Sequence, residues 1–124
     1  MDEHVLRRSA EAFIRALQAG DLASVQRYLA DGLRTRQFGV AGRIRSYQVV
    51  SVEPLGGEGE AVVRALCSGD QAELLESSWT ELGGAPRRLS FGGPSATLET
   101  RWTQEHGLPG LTGLRVQGGP WFPP

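Results

Sequence analysis

Apolar residues recur every three or four positions near the start of the chain. Leu6, Ala10, Phe13 and Leu17 follow one another at spacings of four, three and four, and Ile14 and Ala16 widen the stripe. That period places them on one face of an α-helix over residues 3–19. Asp2 and Glu3 stand at its beginning, where unpaired N–H groups favour carboxylates. Gly20 falls where a helix closes on a left-handed residue, and Asp21 offers an oxygen to cap a second helix over 22–31. This second stripe is Leu22, Val25 and Leu29, with Tyr28 on the flank and Gly32 at the end. The pattern predicts a helical hairpin in which Gly20 turns the chain and Asp21 is a cap rather than a catalytic acid.

After Gly32 the period changes. Residues 43–53, RIRSYQVVSVE, are rich in β-branched and aromatic side chains and predict a strand. Ile44, Val50 and Val52 fall on one parity, Tyr47 and Val49 on the other. Either both faces are covered or a bulge shifts the phase near Gln48–Val50. A turn at residues 54–57 leads to a second strand over 60–67, EAVVRALC, giving an antiparallel hairpin.

Residues 70–82 carry conflicting signals. Asp70 and Glu73, with Ala72, Leu75, Trp79 and Leu82, fit a capped helix. Ser77-Ser78-Trp79-Thr80 is a poor helix interior, and hairpin order asks for a third strand, which is the preferred reading. The glycines and prolines of 83–95 predict a loop. In the strand predicted over 96–104, Leu98, Thr100 and Trp102 face one way and Glu99, Arg101 and Thr103 the other. A last strand covers 111–116. The tail 117–124, QGGPWFPP, is irregular, and its Trp121 and Phe122 are exposed unless they dock. The fold class is therefore α+β: a helical hairpin packed on a curved, mostly antiparallel sheet.

Composition narrows the function classes. A chain of 124 residues is the size of one domain. Its net charge of −1 gives no overall field to draw in nucleic acid or an anionic membrane. No apolar run approaches the ~18 residues of a membrane span, and the acidic start lacks a signal-peptide pattern. The expectation is a cytoplasmic protein. All 13 basic residues are arginine, with neither lysine nor asparagine present. Lysine chemistry is thereby excluded. The bias against A-rich codons points to a GC-rich, bacterial genome. Cys67, the one cysteine, excludes an internal disulfide and reads as a small core residue. Charge is segregated: residues 34–45 hold Arg34, Arg36, Arg43 and Arg45 and no acid, whereas Glu53 to Glu81 hold seven acids and only Arg64.

The segment AEAFIRALQAGDLASVQRYLADG, residues 10–32, joins two apolar helices through Gly-Asp. With the hairpin YQVVSVEPLGGEGEAVVRAL and the late Gly118-Gly119-Pro120-Trp121, it resembles the nuclear-transport-factor-2-like superfamily, which includes SnoaL-like cyclases. The resemblance implies a cone-shaped α+β fold whose sheet wraps the helices around an apolar cavity. In the superfamily's enzymes, polar side chains in that cavity move protons.

Catalytic pairing is thin in this chain. His4 lies at the terminus and His106 in a turn, so neither occupies a strand, and no spacing assembles a metal site or a phosphate loop. No cofactor is expected. The candidate ligand-contacting residues are Arg45, Tyr47, Trp79, Glu99 and Trp102, with the two tryptophans as cavity walls. Arg45 and Arg101 would meet an anionic group if they pointed inward. The expected function is a non-catalytic domain that binds a small apolar ligand or a protein partner, as a homodimer through its sheet face. One alternative is a SnoaL-like isomerase, cyclase or hydrolase using an acid such as Glu99 with Tyr47 or Arg45. A second is single-stranded nucleic-acid binding by Arg34, Arg36, Arg43, Arg45 and Tyr47.

Overall fold

The computed structural model describes residues 2–56, 59–78 and 86–123. Its first element is helix α1, Glu3–Ala19, which buries Leu6, Ala10, Phe13, Ile14, Ala16 and Leu17, the stripe expected from the sequence. Asp2 caps it by accepting from the His4 N–H at 2.8 Å. Gly20 closes it in the left-handed conformation, φ 69°, and its N–H bonds back to Leu17.

Helix α2 is shorter than its stripe predicts and spans only Leu22–Arg27. Asp21 caps it as expected, accepting from the Ser24 N–H at 3.2 Å and the Ser24 hydroxyl at 2.6 Å. The helix stops because the sheet claims the following backbone. The Leu111 N–H donates to Tyr28 O at 2.6 Å, and the Ala30 N–H donates to Leu111 O at 2.9 Å. These bonds compete with the helical ladder and draw Leu29 inward, while Leu22 stays 38% exposed rather than buried. A single 3₁₀ turn, Asp31–Leu33, leads into the sheet.

Five strands follow: β1 Arg36–Pro54, β2 Glu60–Ser78, β3 Arg87–Ser90, β4 Ser95–Glu105 and β5 Leu108–Val116. They form one antiparallel sheet in the order β1-β2-β4-β5, with β3 alongside the far half of β2. The fold is thus α+β, with an N-terminal helix packed on an antiparallel five-stranded sheet.

β1 and β2 are each 19 residues long, well beyond the expected 43–53 and 60–67. Residues 70–78 are strand, as preferred, but they continue β2 instead of starting a third strand. A kink allows this. Between the pairs Ala41↔Glu73 and Arg43↔Asp70 the register slips at Gly42, φ 73°, opposite Gln71, φ 50°. A bulge also falls between Val49 and Ser51, which resolves the phase ambiguity of β1. β3 lies within the region expected as loop, held to β2 by the Phe91 N–H on Ala72 O at 3.1 Å. Trp79, and the part of the 70–82 reading beyond Ser78, lie outside the described residues.

The core lies between α1 and the sheet. Phe13 and Trp102 meet edge to face, ring centroids 6.1 Å apart, inside a cluster that includes Leu6, Ile14, Leu17, Ile44, Leu98, Leu111 and Leu114. The indole N–H of Trp102 donates to the Thr100 hydroxyl at 2.8 Å, and that hydroxyl donates to Val63 O at 3.2 Å. The polar edge of the tryptophan is therefore satisfied within the core. The tail docks as well: Phe122 is buried and exchanges both backbone bonds with Leu114, at 2.9 and 2.8 Å.

No helix among the described residues is long and apolar enough to cross a membrane.

Candidate functional site

Strand alternation gives the sheet a second face, turned away from α1. On it, the pairs Arg64↔Glu99 and Glu99↔Arg115 align three charged residues across β2, β4 and β5. Glu99 accepts from Arg64 Nε at 2.8 Å and from Arg115 Nε at 2.7 Å. Arg64 also reaches Glu53 on β1 through Nη1 at 2.5 Å. The result is a row of alternating charge, Glu53–Arg64–Glu99–Arg115, running across β1, β2, β4 and β5. The Arg64 guanidinium is held further in its charged form, first by the hydrogen bond to Glu53 and then by Glu99. Although Glu99 lies on the outer face it is only 1% exposed, because the arginines and the tail roof it over. Trp121 covers the row: its ring centroid is 4.2 Å from Arg101 Cζ and 4.6 Å from Arg115 Cζ. Beside this row two apolar side chains stand in the open, Leu66 at 47% and Val50 at 52% exposure.

The five residues singled out in the sequence are dispersed. Arg45 is exposed and pairs with Asp70 at 2.9 Å. Tyr47 accepts from Arg15 Nε at 3.1 Å beside α1, and that bond raises the Arg15 pKa. Glu99 is locked in the outer row, while Trp102 is fully buried on the opposite face. Trp79 is outside the described residues. The described four thus form no common site. Both oxygens of the Glu99 carboxylate are occupied by arginine.

Two features were missed. Glu76 on β2 is 4% exposed, with one oxygen on Arg36 Nη1 at 3.0 Å and the other without a hydrogen-bond partner among the described residues. A mostly exposed cluster joins Asp31, Glu105 and His106: Asp31 Oδ2 meets His106 Nε2 at 2.9 Å, and Glu105 Oε1 accepts the Asp31 N–H at 2.9 Å. The Asp31–His106 hydrogen bond lowers the Asp31 pKa and raises that of His106. The ligand atoms of these three residues lie within 4.8 Å of one another, so they are the described group with the spacing to hold a metal ion. Here they bond to one another and tie the β4–β5 turn to the segment after α2. Nothing in the sequence pairs residues 31 and 106.

A groove of about 520 Å³ opens where β3 and β4 part along β2, lined by Asp70, Gln71, Ser90 and Pro94 among others. A notch of about 260 Å³ lies between the start of α1 and the ends of β1 and β2, with Leu6, Val52 and Ala61 in its lining and Glu3 and Glu60 beside them. Neither is lined by any of the four described residues, Arg45, Tyr47, Glu99 and Trp102.

No protein-family model matches the chain, and no curated protein does. Among solved structures, the chain is similar to the crystal structure of the intermembrane-space region of the chloroplast protein ARC6. Sequence identity is 12%, the match covers 94% of this chain and 96% of that one, and the TM-score is 0.50. At this identity the similarity shows a shared fold.

Proposed function

We propose that this chain is a distant nuclear-transport-factor-2-like domain without a catalytic role, a protein-interaction module that works through the outer face of its sheet. The observation that carries the reading is the state of Glu99. Glu99, the acid put forward for a SnoaL-like reaction, has both oxygens bound by Arg64 and Arg115, and it faces away from the helix. Packing supports the same conclusion. Phe13 and Trp102 occupy the space between helix and sheet where a cone-type fold holds its ligand. Leu66 and Val50 instead leave apolar surface on the other side, next to a rigid charged row.

The experiment is selection of peptides from a random library on the immobilised protein. Selected peptides are then compared on the wild type, Leu66→Glu and Leu22→Glu, the last an exposed leucine on α2. The reading predicts that Leu66→Glu abolishes binding and Leu22→Glu preserves it. Peptides indifferent to Leu66→Glu overturn it. So does a sedimentation experiment in which the outer face is already closed by a stable homodimer that Leu66→Glu dissociates.

A further inference from the structure

Among the described residues, Arg101 on β4 lacks an anion, as does the exposed Arg43 on β1, but Arg101 is the one whose guanidinium is partly buried. Arg64 and Arg115 are paired with Glu53 and Glu99, and Arg45 with Asp70; no carboxylate oxygen of the described residues lies within 4.0 Å of the Arg101 guanidinium. Its Nε is buried and makes no hydrogen bond to a described residue. Among the described residues its charge is met by the face of Trp121, 4.2 Å from Cζ. An aromatic face attracts a cation but accepts none of the in-plane hydrogen bonds that a guanidinium offers. Arg101 is thus held in place by Trp121 with its planar donors unspent, an arrangement suited to a carboxylate, which accepts two parallel N–H bonds.

Leu66 is opposite Thr97 on β4, and Arg101 is four residues further along that strand. At the usual rise and strand spacing, the two side chains stand roughly 14 Å apart on one face. An extended segment covers that span in about four residues.

We propose that Arg101 and Trp121 form a carboxylate subsite for an acidic segment of a partner protein, bound extended across the outer face, with an apolar residue on Leu66 and a Glu or Asp four positions away on Arg101. This rests on the outer-face reading above and names the chemistry of the partner. Charge favours an acidic partner over a second copy of this chain, which would bring its own unpaired Arg101 to the same face.

The test is a titration of the ¹⁵N-labelled protein with the peptide acetyl-Leu-Ser-Thr-Ser-Glu-amide, following the Trp121 indole resonance. The Glu→Gln peptide and sodium acetate are run beside it. The proposal predicts saturable shifts with the acidic peptide, at least tenfold weaker binding of the Gln peptide, and the same loss for the acidic peptide on Arg101→Gln, with partial recovery in Arg101→Lys. Equal binding of the two peptides overturns it, as does an acidic peptide indifferent to Arg101→Gln, or acetate matching the peptide concentration for concentration. If Arg101→Gln does not fold, the comparison of the two peptides on wild type still decides. Binding lost in Leu66→Glu but unchanged in Arg101→Gln refutes the subsite and leaves the outer face standing. Binding unchanged in both removes the face itself.

Discussion

Glu99 and Arg115 stand directly opposite each other on β4 and β5, with Glu99 Oε1 2.7 Å from Arg115 Nε. Arg64 closes on the other carboxylate oxygen from β2. Burying one carboxylate between two arginines fixes three strands relative to one another. Removing the acid leaves Arg115 without its carboxylate and Arg64 with Glu53 alone, both only partly exposed, and that loss outweighs what the intact pair contributes. Glu99→Ala is therefore expected to destabilise the fold by about 3 kcal/mol, a fall in Tm of about 10 °C for a domain of this size. Thermal unfolding followed by circular dichroism checks it. A Tm within a degree or two of wild type would mean that the row contributes little.

Gly42 tests the kink in the long hairpin. Its φ is 73°, and a Cβ there would sit 2.7 Å from Asp70 O and against Gln71 O. Gly92 has a similar φ, 76°, with open space around the position. Gly92→Ala should cost about 1 kcal/mol from backbone strain alone, whereas Gly42→Ala should cost ~3 kcal/mol or more because main chain cannot yield as a side chain can. Urea unfolding of the two variants separates strain from collision.

The Asp31–His106 contact should leave a pH signature. Hydrogen bonding to His106 lowers the Asp31 pKa below 3.8, so this contribution is present above that value and is lost as pH falls through the depressed pKa. The same bond raises the His106 pKa above 6.5, so its contribution is full below 6.5 and disappears as pH rises through the elevated pKa. The two conditions overlap between about pH 3.8 and 6.5. The Tm difference between wild type and His106→Gln should be largest in that window and shrink above it. An NMR titration of His106 in Asp31→Asn should return its pKa toward 6.5.

Cys67 is fully buried, and burial pushes its thiol up to about 11. It should resist a disulfide reagent at pH 8 in the native protein and react with one equivalent once guanidinium unfolds the chain. Rapid native labelling would place residue 67 at the surface.

Local chemistry was the legible part. The α1 stripe, the Gly20 turn and the Asp21 cap depend on neighbours a few positions apart, and the sequence displays them directly. The end of α2 was not legible, because it is set by Leu111, more than eighty residues away, bonding to Tyr28 and Ala30. The length of β2 was hidden for a related reason. The expected strand stopped at Cys67 and residues 70–82 carried conflicting signals, yet the register slip at Gly42 and Gln71 lets one strand bend and exchange β4 for β3 as its neighbour. On β4 the alternation correctly separated Trp102 from Glu99. Alternation alone does not disclose that the second face is also covered, which takes Arg64, Arg115 and Trp121 from three other parts of the chain. Residues chosen for their chemistry one at a time therefore fell on different surfaces.

The central claim is that binding takes place on the sheet face turned away from α1. Backbone shift mapping with a selected peptide tests it most directly. The account predicts shifts along Val50, Leu66, Glu99, Arg101 and Trp121, with Leu6, Phe13 and Trp102 unmoved. Shifts gathered on Leu6, Phe13 and Trp102 would contradict it, because they would place the bound segment between helix and sheet.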